Sequence, residues 1–405
     1  MPQILYISYD GMTDPLGQSQ VLPYIIGLSK KGYDFTLLSC EKPSKYEKYA
    51  SQIREITTMY GIDWHPLPFT SSPPILSKIK DLYILKYTAK RLHKKKKFDL
   101  IHCRSYVSAD AGNQLKMKYN VKFLFDMRGF WVDERVDGGL WNQKNPFYKW
   151  LYKHYKKKEA SYLKNADMII SLTEAGKSEM RNWKNGSNLP IKVIPCSTDF
   201  DLFNLQSDTT KLKSRAKLGL KESDLVVSYL GSLGTWYMLD EMLDFFELLK
   251  QKYPTAIFLF LTPDNPEIIY KKLSGRTLSK KDVIIKFANR NEVSDLLAAS
   301  DFSLFFIKPS YSKISSSPTK LGEILAKGIP VICNSKVGDV QEIVTSTKGG
   351  LILDNLDNQS YLRVINEIPR MLLMDSMNIR NKAFEYYSLN KAVDKYEECY
   401  KTILT

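Results

Sequence analysis

The chain reads as an α/β protein of two doubly wound domains in tandem, on three observations. Short apolar runs alternate with helical patterns from end to end, the alternation restarts after residue 222, and 405 residues exceed what one hydrophobic core usually serves. The runs are apolar throughout and bounded by polar turns, which fits parallel strands covered by helices on both faces. In the first half they fall at 3–10 (QILYISYD), 34–40 (DFTLLSC), 62–69, 99–105 (DLIHCRS), 122–128 (KFLFDMR), 167–173 and 191–197, with helical segments such as 20–32 and 174–183 between them. The second series falls at 225–232 (LVVSYLGS), 255–262, 282–289, 301–308 (DFSLFFIK), 330–335 and 349–354. The pattern predicts a first domain over 1–198, a joint over 199–222 and a second domain over 223–388. The closing segment 389–405 reads as a charged, aromatic helix that packs back on the first domain. Two such domains leave a cleft, and ligands of doubly wound sheets gather outside the carboxyl ends of the strands.

Composition narrows the class. The opening MPQILYISYD lacks a basic region followed by an apolar core, and the longest apolar runs, such as 256–261, fall far short of the roughly 20 residues that span a bilayer. The expectation is a cytoplasmic chain. Five scattered cysteines, Cys40, Cys103, Cys196, Cys333 and Cys399, form no CxxC and pair with no histidine motif, so they read as reduced thiols rather than a metal cluster. Net charge is +15, and it is uneven: residues 1–200 hold 32 Lys and Arg against 19 Asp and Glu, the rest 27 against 25. The first half therefore faces something anionic. Nucleic acid is excluded as the partner, since no helix-turn-helix, RRM or zinc pattern appears and the second half would have no task.

Three strand-to-helix turns carry the chemistry. The stretch SSSPTKLGE (315–323) follows a strand and opens a helix; free N–H groups and the helix dipole favour a phosphate there. Ser316, Ser317 and Thr319 offer hydroxyls, Pro318 suits the first helical position, Lys320 adds charge, and Glu323 can reach a ribose hydroxyl. The same residues also make an ordinary serine cap with proline at N1. In YLGSLGTWY (229–237), Gly231 and Gly234 let backbone approach a pyrophosphate before a helix expected near Trp236, although glycines there also serve turn geometry. At the N-terminus, YDGMTDPLGQSQ puts Gly11 and Gly17 in the loop after the first strand.

Together these stretches, with VIPCSTDFDLF (193–203), resemble the GT-B glycosyltransferases of glycosyltransferase family 4 over roughly residues 3–400. The resemblance implies two Rossmann-like domains and transfer of a sugar from a nucleotide-activated donor to a saccharide or lipid-linked acceptor, with retention and without a metal or other cofactor. It places the donor mainly on the second domain, at Gly17, Gly231, Ser232, Arg290, Lys313, Ser317, Thr319, Lys320 and Glu323. In the first domain it points to the strand ends, with His102, Asp126 and Arg128 as catalytic residues and Arg104, Asp133 and Glu134 toward the acceptor. A structural histidine and an internal Asp126–Arg128 ion pair are the competing readings. Two positions depart from the family pattern. Ser315 stands where the first glutamate of Glu-x7-Glu is common, and Ser232 where an arginine often holds the diphosphate. Lys313, Lys320 and Arg290 are the replacements expected. The Asp-Phe-Asp at 199–201 imitates a metal-binding Asp-x-Asp but falls in the linker motif, so no metal is expected.

UDP, GDP and CMP donors all fit the sequence. A sugar-nucleotide epimerase on the same plan and a degenerate, sugar-nucleotide-binding member are the rival readings. The basic stretches 91–99 and 145–164 account for much of the first domain's charge. The second interleaves Phe147, Trp150, Tyr152 and Tyr155 with six lysines, the composition of a helix lying in an anionic membrane surface. The resemblance, to a family whose members often act on lipid-linked acceptors, implies that such contact would be peripheral at the inner face of the cell membrane; a solvated helix face is the plain alternative.

Overall fold

The computed structural model describes residues 1–184 and 186–405. By packing, the chain forms two units: Met1–Pro195 with Leu389–Thr405, and Cys196–Ser388. Among the described residues the first unit holds seven strands, β1 (Gln3–Ser8), β2 (Asp34–Glu41), β3 (Asp63–Pro68), β4 (Leu100–Arg104), β5 (Lys122–Asp126), β6 (Met168–Ser171) and β7 (Ile191–Val193). They form one sheet in the order β3-β2-β1-β4-β5-β6-β7, every pairing parallel. The second unit holds β8 (Val226–Leu230), β9 (Ile257–Leu261), β10 (Val283–Lys286), β11 (Phe302–Phe305), β12 (Val331–Asn334) and β13 (Gly350–Leu353), ordered β10-β9-β8-β11-β12-β13 and again parallel. Strand order reverses between β1 and β4 and between β8 and β11, the switch points where doubly wound sheets open a crevice.

The strands are where the apolar runs are, because helices cover both faces. Val226–Leu230 is buried at every position, and Phe258 and Phe260 stack at 4.2 Å in the second core. Each such side chain contributes roughly 2–3 kcal/mol by burial.

Two expectations change. The joint at 199–222 carries a helix, Asp208–Leu218, that belongs to the second unit. Its buried Arg215 pairs with Asp301 at 2.7 Å and donates to the carbonyls of Glu222 and Ala299, which ties the helix to the second unit. The helix expected near Trp236 begins at Leu239 instead. Residues 231–238 first run beside 306–308, Met238 N–H donating to Phe306 O at 3.0 Å and Lys308 N–H to Trp236 O at 2.9 Å.

The C-terminal helix Leu389–Leu404 returns to the first unit. Its buried residues Ala392, Val393, Tyr396, Cys399, Tyr400 and Ile403 recur as one helical stripe. Val393 fits because Gly27 has no side chain; a Cβ there would meet it at 2.6 Å.

Candidate active site

In the second unit the turn after β8 and the helix Thr319–Ala326 converge at the switch point. Gly231 sits at φ +109, and a Cβ on it would approach Lys320 Nζ at 3.2 Å. Glycine is thus required twice, for its backbone angle and to leave the amine room. Lys320 is only 6% exposed. Its Nζ donates to Tyr229 Oη at 3.0 Å and lies 3.5 Å from the Tyr237 ring centroid and 4.1 Å from that of Tyr229. Among the described residues no carboxylate lies within 4.0 Å of it. Burial holds this amine well below the usual lysine range, with Glu323 pulling only weakly the other way.

Glu323 lies one turn along the same helix, 3.9 Å from Arg290. Burial pushes its carboxyl up to about 7, against the pull of Arg290 and Lys320. Lys313 stacks over Trp236, Nζ 3.7 Å from the ring centroid. Ser317 Oγ accepts from Cys196 N–H at 3.2 Å, Thr319 opens the helix, and the Ser232 carbonyl accepts from Tyr229 Oη. Ser315 is buried and donates to Ser312 O. The structure thus gathers Gly231, Ser232, Arg290, Lys313, Ser317, Thr319, Lys320 and Glu323 around one end of one sheet. Sequence reading missed Tyr229, Tyr237 and Trp236, whose rings shape the lysine environment. A tyrosine inside an apolar run reads as core, and only its place at the strand end hints otherwise.

In the first unit Glu41 is buried at the end of β2. It accepts from Met12 N–H at 2.8 Å, Thr13 N–H at 3.0 Å and Thr13 Oγ1 at 2.6 Å, which fixes the loop after β1. Gly17 stands where a Cβ would lie 2.1 Å from Gly11 O, so only glycine lets the loop fold onto the first helix. At the strand ends Arg104 reaches Asp10 at 3.4 Å, and Arg128 holds φ +57, an uncommon angle for a side chain of that size.

His102 and Asp126, expected at the strand ends as catalytic residues, are enclosed within the first unit. Both are about 1% exposed, under the C-terminal helix. His102 Nδ1 bonds Tyr400 Oη at 2.7 Å, Tyr396 Oη donates to Asp126 Oδ2 at 3.0 Å, and His102 Nε2 stands 3.6 Å from the same oxygen. Burial lowers the His102 pKa and keeps the ring neutral. Burial alone would raise Asp126, but Arg128, His102 and Arg104 outweigh it and hold the carboxyl low. These two side chains form a buried, hydrogen-bonded cluster with Tyr396 and Tyr400, and Arg128 stands beside it, 3.8 Å from Asp126. Asp133 is also engaged internally, accepting from Tyr152 Oη at 2.9 Å and Lys156 Nζ at 3.1 Å. Glu134, on the same short helix Trp131–Asp137, is partly exposed. Asp199 Oδ1 accepts from the N–H groups of Asp201 and Leu202, closing a turn.

Two doubly wound sheets, the second with buried cationic groups beside a glycine turn at its switch point, define the two-domain α/β transferase class. The family model described as Glycosyltransferase Family 4 matches residues 21–202, and that described as Glycosyl transferases group 1 matches residues 210–383. The chain belongs to the GT-B glycosyltransferases of family 4 type. It is 24% identical over 337 residues, 80% of each chain, to the UDP-Gal:alpha-D-GlcNAc-diphosphoundecaprenol alpha-1,3-galactosyltransferase of Escherichia coli. Among solved structures it resembles Anabaena HepE in complex with UDP and glucose, with a TM-score of 0.73 at 14% identity over 99% of this chain and 100% of that one. It also resembles the sucrose-phosphate synthase of Thermosynechococcus elongatus, with a TM-score of 0.72 at 16% identity over 99% and 98%.

Proposed function

We propose that the chain transfers a hexose from a UDP-sugar to a lipid-linked saccharide acceptor, with retention and without a metal ion, in surface polysaccharide or glycolipid assembly. The observation that carries the reading is the gathering of Lys313, Lys320 and Arg290 around the Gly231 turn. These groups supply positive charge where the departing diphosphate develops negative charge, the role a metal plays in other transferases. Backbone at Gly231 and the first turn of Thr319–Ala326 meet the phosphates, and Glu323 takes a ribose hydroxyl. The first unit orients the acceptor, with Arg104, Arg128 and Glu134 near it. Deprotonation of the acceptor hydroxyl by the leaving phosphate needs no separate base, so positioning is the main demand. The UDP and acceptor assignments draw support from the activity named for the Escherichia coli relative and from the ligands in HepE.

Contact with an anionic membrane surface belongs to the same reading. The helix Pro146–Asn165 exposes Phe147 and Trp150 among its lysines, and the helix Pro74–Lys96 exposes Ile79, Tyr83 and Tyr87 one turn apart. Lys86 of the latter and Lys158 of the former both pair with Asp110 on the helix between them. No described helix is long and apolar enough to cross a membrane.

The test is incubation with radiolabelled UDP-glucose, UDP-galactose and their N-acetyl forms plus a polyprenyl-diphosphate saccharide, with and without chelator. Label moving into the lipid extract, unaffected by chelator, is the expected result. Release of an altered free UDP-sugar without acceptor would replace the reading with an epimerase. Vesicle flotation checks the membrane part: binding to anionic vesicles that weakens with salt is expected, and equal absence of binding at low salt would remove it.

A further inference from the structure

Lys320 poses a problem that its neighbours do not solve. A buried ammonium without a counter-charge costs several kcal/mol even after relaxation. The groups facing it are the Tyr229 hydroxyl and ring from β8, the Tyr237 ring from residues 231–238, the apolar Phe305 ring at 5.8 Å from β11, and Glu323 from its own helix. Aromatic faces attract a cation and lessen the cost of charging the amine, but they supply no anion. By contrast Lys327, just past the end of the same helix, has two oxygen acceptors, Asn204 O and Ser294 Oγ, each at 3.2 Å. The open side of Lys320 is the Gly231 turn, where the missing Cβ leaves the amine room.

We propose that docking of an anionic diphosphate at the Gly231 turn loads a proton from solvent onto the Lys320 amine, so that the ligand itself creates the ammonium that binds it. The step is R–NH2 plus H⁺ giving R–NH3⁺, with no bond to the ligand formed or broken. It rests on the donor reading above and adds to it a coupling: binding takes up protons and weakens as pH rises. The aromatic rings then act as an insulator that keeps the charge small until the anion arrives, which discriminates against uncharged sugars. Near neutral pH Glu323, whose carboxyl burial pushes up to about 7, could supply the proton internally and hide the uptake; at higher pH it is mostly ionised.

The experiment is calorimetric titration of the full chain with UDP at about pH 8.5, where the UDP phosphates are already ionised, in HEPES and in Tris, whose ionisation enthalpies differ. The buffer dependence of the heat counts protons. Expected is uptake of about half to one proton per UDP in the wild type and, with the internal source removed, in Glu323→Gln. Lys320→Arg carries a permanent charge and should bind UDP with no uptake. Binding by wild type and Glu323→Gln with no buffer dependence overturns the proton coupling and leaves the donor reading standing. Absence of any UDP binding in the wild type overturns both.

Discussion

Each sheet ends in buried polar groups near its switch point, and the two clusters are built in opposite ways. In the first unit Asp126 is surrounded by Arg104, Arg128, neutral His102 and the hydroxyl of Tyr396, and the C-terminal helix closes over them. Its charge is compensated from within. In the second unit Lys320 is equally buried but has rings and one hydroxyl for company, with its counter-charge missing. A compensated cluster holds a fold together; an uncompensated one stores free energy that a ligand of the opposite charge can release. The donor reading proposed above places the anion at the buried amine that lacks a counter-charge.

Removing the charge at each place should therefore have opposite effects. Asp126→Ala removes the carboxylate that faces Arg128 and accepts from Tyr396, and should cost about 3–5 kcal/mol, read as a lower urea midpoint with early loss of the C-terminal helix. Survival of full stability would mean the cluster is not structural. Lys320→Met replaces a buried amine that has no counter-ion with an apolar side chain of similar length. It should leave melting temperature unchanged or higher while weakening UDP binding about 100-fold, or about 3 kcal/mol. A variant that unfolds but binds normally would reverse the contrast between the two clusters.

At Glu323 the contrast extends to pH. Its folded pKa, about 7, is raised above the 4.5 of a free glutamate, so the folded state binds more protons between those values. The stability this contributes is full below about pH 4.5 and is lost as pH rises through 7, up to about 3 kcal/mol in all. Glu323→Gln should remove that fall from a series of chemical denaturations between about pH 5 and 8. The smallest effect is Tyr400→Phe, which loses the His102 hydrogen bond in a cluster that is otherwise intact. It should cost about 1 kcal/mol, with UDP affinity unchanged in the same titration.

The strands were legible because a short, wholly apolar run between polar turns suits a strand covered on both faces, and each such run contains a strand of its sheet. The first helix of the second unit was placed early because Trp236 and Tyr237 look like helix surface. What moves them is pairing with 306–308, a contact about 70 residues away that no local pattern encodes. His102 was legible as a residue near a strand end, whereas its enclosure was not, since the Tyr400 that bonds it lies 298 positions later. Lys320 and Glu323 could be found from the helix-start motif, whereas the rings around Lys320 could not, because tyrosines in and after β8 carry the same pattern as core.

Hydrogen exchange of the full chain, with and without saturating UDP, separates the two clusters in one experiment. Protection is expected at 229–238 and 311–323, with residues 100–128 and the C-terminal helix keeping the same slow exchange in both states. Protection that emerges instead around His102 and Asp126, leaving 229–238 and 311–323 unchanged, would place the ligand at the compensated cluster and refute the assignment of the donor to Lys320.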